Sequence, residues 1–188
     1  MIVHHYIDIH LRPDPEFPPH QLIAALYSKL HRVLVQLKAS TIGVSFPGYS
    51  EMPPTLGNAL RLFGPETDLN RLMQQDWLKG MRDHTEVCVA TMVPADTVHR
   101  ALRRVQAKSN PERLRRRQIR RHGLTQDQAR ERVPDSAVEK LRLPFVQLGS
   151  ASTGQVFRLY LRLGLPESGS PGSFNAYGLS TSATIPWF

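Results

Sequence analysis

The sequence predicts an α+β protein with a ferredoxin-like N-terminal domain, followed by a C-terminal part with an arginine-rich helix and a small antiparallel sheet. Two observations support this fold class. Over residues 1–95, alternating and helical apolar patterns follow one another in the order β-α-β-β-α-β, which describes a four-stranded antiparallel sheet with two helices on one face. Over residues 96–188, arginine-rich helical segments precede segments that alternate polar and apolar side chains. We therefore expect two domains, 1–95 and 96–188.

The elements of the first domain follow from the spacing of its apolar residues. A long helix is predicted over 19–38, because its leucine, isoleucine and valine residues lie on one helical face. Thr67 or Asp68 can cap a second helix. Strands are predicted where short apolar or alternating segments are bounded by turn residues, at 4–11, 41–46, 58–63 and 85–93.

The second part begins with a predicted linker from Pro94 to His99. A helix should start at Pro111, capped by Asn110, and stop at Gly123. Two further short helices are predicted near 126–132, where Thr125 and Gln128 form a capping box, and near 135–141. Strands are predicted at 144–148 and 155–163, with short final strands at 174–180 and 184–188.

One segment, residues 100–121, carries the net charge of the chain. It holds ten Lys or Arg residues and one acid, Glu112, for a local charge of +9, whereas the whole chain has a charge of +8. The other 166 residues are nearly neutral, at −1. Positive charge concentrated in this way needs an anionic partner, and nucleic acid is the leading candidate polyanion.

The predicted helix that starts at Pro111 has no apolar stripe, because Leu114 and Ile119 lie about 140° apart around its axis. Arg115 points away from a broad cationic wall formed by Arg113, Arg116, Arg117, Arg120 and Arg121. Arginine presents a planar fork that fits phosphate and guanine edges bidentately. The pattern therefore favours nucleic-acid binding over a merely solvated charged face.

Two other functions stay open at this point. The helices at 111–122 and 126–132 superficially resemble a helix-turn-helix, which suggests a DNA-binding regulator, but a recognition helix normally buries one side on its partner. A non-catalytic RNA-binding module with the same fold is also possible. The stacked aromatics of RNA-recognition motifs are absent from the predicted strand at 58–63, so the sheet of the first domain is not expected to be the RNA platform.

No metal or cofactor site is expected. The single cysteine, Cys88, excludes an internal disulfide and a cysteine-built metal cage, and the eight histidines show no ligand spacing. No signal peptide or long apolar span is visible, so we expect a cytoplasmic protein without a membrane partner.

None of the candidate catalytic residues has a distinctive sequence pattern when it is considered alone. His31 should flank the apolar face of the long helix and reach solvent, as many surface histidines do. Ser150, Ser152 and Thr153 expose hydroxyl groups between two predicted strands, as a hairpin turn would. Tyr177 could be a simple strand aromatic.

Several sequence segments together resemble one family. They are KLH at 29–31, RVQAKSNPERLRRR at 104–117, RRH at 120–122 and PFVQL-x-S-x-STGQ-x-FRL at 144–159, with further matches in DIHLRPDPEFPP, IGVSFP, YGLS and the final PWF. The family is the CRISPR-associated endoribonuclease of type I-F (Ypest subtype) systems, which cuts precursor CRISPR RNA within each repeat. The resemblance runs from end to end and is weakest over 48–100.

The resemblance implies a catalytic set. His31 and Ser150 would carry out the cleavage, Tyr177 would orient the histidine, and Ser152 would assist. The implied reaction is metal-free: the 2′-hydroxyl of a nucleotide attacks the adjacent phosphate and leaves a 2′,3′-cyclic phosphate and a 5′-hydroxyl. A histidine can exchange the required protons near neutral pH.

The resemblance also implies an RNA-binding set and partners. The arginine-rich helix would lie in the major groove of a CRISPR repeat hairpin, where Arg117, Arg120 and Arg121 would hold stem phosphates. Arg104 and Gln106 would read stem bases, and Phe157 would stack on the terminal base pair. The whole expected set is Arg104, Gln106, Lys108, Arg113, Arg116, Arg117, Arg120, Arg121 and Phe157. Other CRISPR-associated subunits of a surveillance complex are expected partners. Gly149, Val156 and Gln118 depart from the family pattern, which could change the preferred repeat but leaves the catalytic set intact.

Overall fold

The computed structural model describes residues 4–106, 111–134, 141–149 and 154–188. Their contacts divide the chain into two compact units. The first unit combines residues 1–104 with 143–188, and the second comprises residues 105–142. The prediction that residues 1–95 and 96–188 form two domains concerns which parts of the chain fold and function independently, and it stays a prediction.

The helices and strands of the described residues are short apart from one long helix. The strands are β1 (His5–Leu11), β2 (Gly43–Ser45), β3 (Ser50–Glu51), β4 (Pro54–Thr55), β5 (Ala59–Gly64), β6 (Thr85–Val87), β7 (Thr91–Met92), β8 (Val98–Arg100), β9 (Leu102–Val105), β10 (Phe145–Gly149), β11 (Val156–Leu163) and β12 (Ile185–Trp187). The helices are α1 (Pro19–Leu37), α2 (Glu66–Met73), α3 (Pro111–His122) and α4 (Gln126–Arg132), with 3₁₀ turns at Asp76–Leu78 and Arg82–His84.

The N-terminal sheet has the strand order β2-β5-β1-β6, and every pairing is antiparallel. This order and the two helices α1 and α2 confirm the predicted ferredoxin-like arrangement. Ile7 pairs with Leu62 and Ile9 with Leu60, and all four side chains are buried. Together with the apolar face of α1 they form the centre of the core.

The other face of this sheet is closed by an ion pair that the sequence pattern did not reveal. Asp8 and Arg61, neighbours on β1 and β5, are both buried and joined by two hydrogen bonds of 2.7 and 2.8 Å. The Arg61 guanidinium lies 3.9 Å from the ring centroid of Phe188. This face is therefore contacted by the C-terminal Phe188.

Several predicted boundaries in the first domain are wrong. The strand expected at 85–93 is interrupted, and its two halves, β6 and β7, pair separately with β1. The helix α2 begins at Glu66 after Pro65, so neither Thr67 nor Asp68 caps it. The Asp68 carboxylate instead accepts a hydrogen bond from the Thr41 hydroxyl. Asp68 therefore makes a tertiary hydrogen bond and not the local capping contact that the sequence pattern predicted.

The predicted linker at 94–99 is also wrong in part, because its end enters β8. This strand pairs with β12, while β9 joins β10 and β11 in a three-stranded sheet with the order β10-β11-β9. Residues 174–180, predicted as a strand, form a loop. Both errors have one cause, which is that the partners lie too far away in the chain for a local pattern to reach. The partner of β8 is about 90 residues away, and the residues that hold the 174–180 loop, Tyr27 and Val44, are more than 130 residues away.

In the second unit, α3 and α4 begin and end as predicted. The capping box is present, with the Gln128 amide donating to the Thr125 hydroxyl and the Thr125 amide donating to the Gln128 side chain. Ala129 and Val133 are buried, and no residue of α3 is fully buried. The predicted helix near 135–141 and the cap Asn110 lie outside the described residues, apart from Leu141.

Candidate active site and nucleic-acid interface

His31 lies on α1 beside the buried face of the helix and is itself half-buried. Its position follows from the helical period, because Tyr27 and Leu34 precede and follow it by about one turn on the neighbouring buried stripe. The helix packs against the sheet, so the histidine has a rigid backbone. A side chain in this place is held on one side and reaches solvent on the other.

Two contacts fix the imidazole ring of His31. Its Nδ1 lies 2.8 Å from the carbonyl oxygen of Ala176. The Tyr177 ring stacks on it with centroids 3.9 Å apart and an angle of 3° between the planes. A carbonyl only accepts hydrogen bonds, so Nδ1 must carry the proton and donate it. The neutral ring therefore presents the lone pair of Nε2, which makes no hydrogen bond to the described residues.

The loop at 174–180 that supplies both contacts is built by a tight turn. The Asn175 side chain accepts hydrogen bonds from the backbone amides of Tyr177 and Leu179. Gly178 has φ +67, and a Cβ at this residue would lie 2.5 Å from Val44 Cγ1. Glycine is required here for both the backbone angle and the space. The Val44 amide on β2 donates to the Gly178 carbonyl at 3.0 Å, so the loop is anchored to the sheet.

Tyr27 ties the same loop to α1. Its hydroxyl donates a 2.6 Å hydrogen bond to the Tyr177 carbonyl. Burial, with a smaller effect from Tyr177, raises the pKa of Tyr27 far above its ordinary value, so the hydroxyl stays protonated and remains a donor. Tyr27 and His31 thus hold adjacent peptide groups of one loop from adjacent turns of one helix.

The predicted serines follow a strand that packs against this helix. β10 lies against α1 and ends at Gly149, immediately before Ser150. Ser150 and Ser152 themselves fall within 150–153, outside the described residues. The distance between their hydroxyl groups and His31 is therefore part of the proposal below.

Arg104 and Phe157 meet at the end of the three-stranded sheet. The Arg104 guanidinium carbon lies 5.9 Å from the ring centroid of Phe157, which is half-buried. Arg104 itself is exposed. Gln106, at the start of the second unit, is exposed, and Lys108 lies outside the described residues. A guanidinium beside an aromatic ring offers planar surfaces that suit stacking against bases.

The arginines of α3 have the distribution that the sequence predicts. Arg113, Arg116, Arg117, Arg120 and Arg121 are exposed. Arg115 is half-buried and donates from Nε to the Val133 carbonyl at 2.8 Å, which holds α3 on α4. Five arginines of one helix therefore face solvent, while the sixth has a structural contact within the unit.

Neither a metal cluster nor a membrane span is present in the described parts of the chain. No three His, Cys, Asp or Glu side chains among 4–106, 111–134, 141–149 and 154–188 are placed to bind one metal ion. In the same ranges, no helix has the length and apolar character needed to cross a bilayer. Cys88 is exposed and unpaired.

Apart from Tyr177, the residues that position His31 were missed by sequence reasoning. Ala176 acts through its carbonyl, and a backbone group leaves no mark in side-chain patterns. Asn175 and Gly178 do carry a signal, since both residue types favour turns, but the surrounding apolar residues suggested a strand. Tyr27 is one helical turn from His31, and its polar tip within a buried stripe was the available clue.

Comparison with known proteins gives consistent matches over nearly the whole chain. The family described as CRISPR-associated protein (Cas_Csy4) matches residues 6–188. A CRISPR-associated endonuclease Cas6/Csy4 of Pseudomonas aeruginosa (strain UCBPP-PA14) is 51% identical over 185 residues, which cover 98% of this chain and 99% of the relative. A protein of the same description from Escherichia coli (strain UTI89 / UPEC) is 44% identical over 185 residues, with the same coverage.

We predict that Tyr27→Phe destabilises the fold by about 1–3 kcal/mol, because the Tyr177 carbonyl loses its donor in a partly buried place. Urea unfolding followed by circular dichroism measures this change. Tyr6→Phe is the matched control, since the Tyr6 hydroxyl makes no hydrogen bond to the described residues. Equal stability of the two variants would show that the bond to Tyr177 does not hold the loop.

Proposed function

Because the chain belongs to the Cas_Csy4 family of CRISPR-associated proteins, we propose that it is an endoribonuclease that binds the hairpin of CRISPR repeat RNA and cuts the precursor at the base of the stem. The observation that carries this proposal is the fixed ring of His31, with Nδ1 bound to the Ala176 carbonyl and Nε2 left for proton exchange. The mature guide RNA stays bound through its stem, and other CRISPR-associated subunits join the protein in a larger complex.

The proposed reaction is an internal transesterification of RNA. The 2′-oxygen of the nucleotide before the cut attacks the adjacent phosphorus, and the bond from phosphorus to the 5′-oxygen breaks. A proton leaves the 2′-hydroxyl and a proton reaches the 5′-oxygen, so the products are a 2′,3′-cyclic phosphate and a 5′-hydroxyl. His31 Nε2 takes the first proton or, in its protonated form, gives the second.

The other members of the proposed catalytic set hold the reacting groups in place. The Tyr177 ring, stacked on the imidazole, prevents it from rotating, and the Ala176 carbonyl fixes the tautomer. Ser150 would hold the 2′-hydroxyl in line with the scissile bond, and Ser152 would assist nearby. The packing of β10 against α1 supports this placement, since β10 ends at Gly149, immediately before Ser150.

The proposed RNA-binding residues divide into phosphate and base contacts. The exposed arginines of α3 suit the closely spaced phosphates of a stem, with Lys108 nearby in sequence. Arg104 and Gln106 suit guanine and adenine edges respectively, because each can form two hydrogen bonds to its base. The Phe157 ring, with Arg104 beside it, suits stacking on the last base pair of the stem.

We predict that His31→Ala slows cleavage of a repeat hairpin by roughly 10²–10⁴-fold while its affinity changes little, because proton transfer is lost but the arginine contacts remain. Single-turnover cleavage and filter binding measure the two effects separately. His10→Ala, which removes an exposed histidine of the same unit, should cleave at the normal rate. A comparable rate loss in both variants would remove His31 from the mechanism.

We predict that a single deoxyribose at the nucleotide before the cut abolishes cleavage without loss of binding, since the proposed nucleophile is the 2′-hydroxyl of that nucleotide. EDTA should leave the rate on all-ribose RNA unchanged. Gel analysis of both RNAs, with enzymatic detection of the cyclic phosphate, provides the measurement. Cleavage of the deoxy-substituted RNA at the same bond, or inhibition by the chelator, would contradict the mechanism but not the family membership.

We predict that Arg117→Ala/Arg120→Ala weakens binding to hairpins of any stem sequence and lowers the slope of log affinity against log salt by roughly 1–2, because phosphate contacts release counterions. Fluorescence anisotropy across a salt series measures the slope. Arg12→Ala/Arg71→Ala removes equal charge from exposed sites of the first unit and serves as the control. An unchanged slope would place the phosphate contacts on another surface.

A further inference from the structure

The three-stranded sheet has an outward face that the proposed catalytic and hairpin contacts do not use. In the β10–β11 register, Phe145 lies opposite Tyr160 and Gln147 lies opposite Arg158. Residues directly opposite in a pair share one face, and the alternate residues point the other way. The outer sheet face is therefore formed by Phe145, Gln147, Val156, Arg158, Tyr160 and Arg162.

The inner face of the same strands is closed over most of its length, and its end at Phe157 and Arg104 reaches solvent. Val146, Leu148, Leu159 and Leu161 are buried in the hydrophobic core. Phe157 lies opposite Leu148 and shares this inner side with Arg104. The two faces therefore have different chemistry, and only the outer one carries its side chains into solvent along the whole length of β11.

The outer sheet face holds a connected group of planar side chains. The Arg158 guanidinium carbon lies 4.7 Å from the Phe145 ring centroid, and the Phe145 and Tyr160 rings are 5.3 Å apart. Phe145 keeps 39% of its surface exposed although it is a large apolar residue. An exposed ring between a guanidinium and a second ring is costly in water but well suited to stacking against unpaired bases.

The charge of these strands selects an anionic partner. β9, β10 and β11 contain four arginines and no aspartate or glutamate. The ion pairs of the described residues are formed by other side chains, so neither Arg158 nor Arg162 is neutralised by a carboxylate there. The outer sheet face is thus both aromatic and cationic, which distinguishes it from an apolar protein-docking surface.

A cavity continues from one edge of the outer sheet face. Phe145 and Gln147 line it together with the first turns of α1 and residues 54–58, and its volume is about 950 Å³. This volume is near the upper end of the range for small-ligand sites, about 300–1,000 Å³. Polar groups along the cavity wall can form hydrogen bonds to base edges, so an RNA strand stacked on Phe145 has room to continue into the cavity.

We propose, on the basis of the function proposed above, that the outer sheet face binds single-stranded RNA flanking the base of the repeat hairpin. The sheet itself supplies the connection. Phe157 and Arg158 are consecutive on β11 and point to opposite faces, and β10 is the edge strand beside β11. RNA that leaves a stem stacked on Phe157 therefore needs to pass only the edge formed by β10 to reach Arg158 and Phe145. Stacking tolerates any base, so this surface requires no particular flanking sequence.

The test compares three RNAs, each with a deoxyribose that blocks cleavage: the bare hairpin, the hairpin with about ten unpaired nucleotides at its 5′ end, and the same extension at its 3′ end. We expect one extension to tighten binding about tenfold in the wild-type protein. Phe145→Ala/Arg158→Ala should lose this gain while its affinity for the bare hairpin stays within about twofold. Arg158→Ala alone, a surface change that leaves the sheet intact, should lose part of the gain.

A matched control and an independent signal accompany the binding data. Phe17→Ala/Arg12→Ala removes an exposed phenylalanine and an exposed arginine outside the sheet and should keep the full gain. A 2-aminopurine base in the favoured extension should change its fluorescence on binding, and Phe145→Ala should abolish that change. The fluorescence reports stacking, which a purely structural role of Phe145 would not produce.

The two proposals fail in different ways. Absence of binding to the bare hairpin by the wild-type protein would overturn the proposed function. Binding of the bare hairpin without any gain from either extension, or an equal gain in wild type and Phe145→Ala/Arg158→Ala, would overturn the role of the outer sheet face and leave the hairpin function standing. An equal gain from a base-paired extension would also overturn it, since stacking requires unpaired bases.

Discussion

The hydrogen bond between His31 Nδ1 and the Ala176 carbonyl joins residues 145 positions apart and determines what the histidine can do. Because a carbonyl accepts only, the bond sets the tautomer as well as the direction of the ring. The Tyr177 ring of the same loop stacks on the imidazole, and the Tyr27 hydroxyl donates a hydrogen bond to the backbone of that loop. The reactive geometry of a residue near the start of the chain therefore depends on a loop near its end.

The same dependence on the C-terminal residues appears at the sheet. β12 pairs with β8, and Phe188 covers the buried Asp8–Arg61 pair with its ring. A buried ion pair costs desolvation and is stable only with good geometry and full hydrogen bonding. Arg61 meets both conditions, with Asp8 on one side and a backbone oxygen of Phe188 on the other. The first unit is thus closed by the last residues, and the loop that fixes His31 precedes them in the chain.

Local patterns predicted what depends on local physics. The long helix, the alternating strand at 5–11, the capping box at Thr125 and the lack of an apolar stripe at 111–122 all follow from period and residue type. The errors arose where a distant partner decides: β8 depends on β12, and the loop at 174–180 depends on Val44 and Tyr27. His31 was found through the family resemblance, because its spacing on the helix is that of an ordinary surface histidine, and its backbone partner Ala176 has no side-chain signal.

The side chains suited to binding RNA and the side chain suited to proton transfer belong to different units of the chain. The α3 arginines belong to the second unit, and the fixed histidine belongs to the first. In the proposed function, contacts to stem phosphates are the same before and after the strand is cut, so they would strengthen binding of substrate and product equally and would not lower the barrier. Proton transfer at the proposed catalytic residue His31 would act only as the bond breaks. An RNA held mainly by its stem would therefore stay bound after cleavage, which is the property required of a protein that keeps its product as a guide.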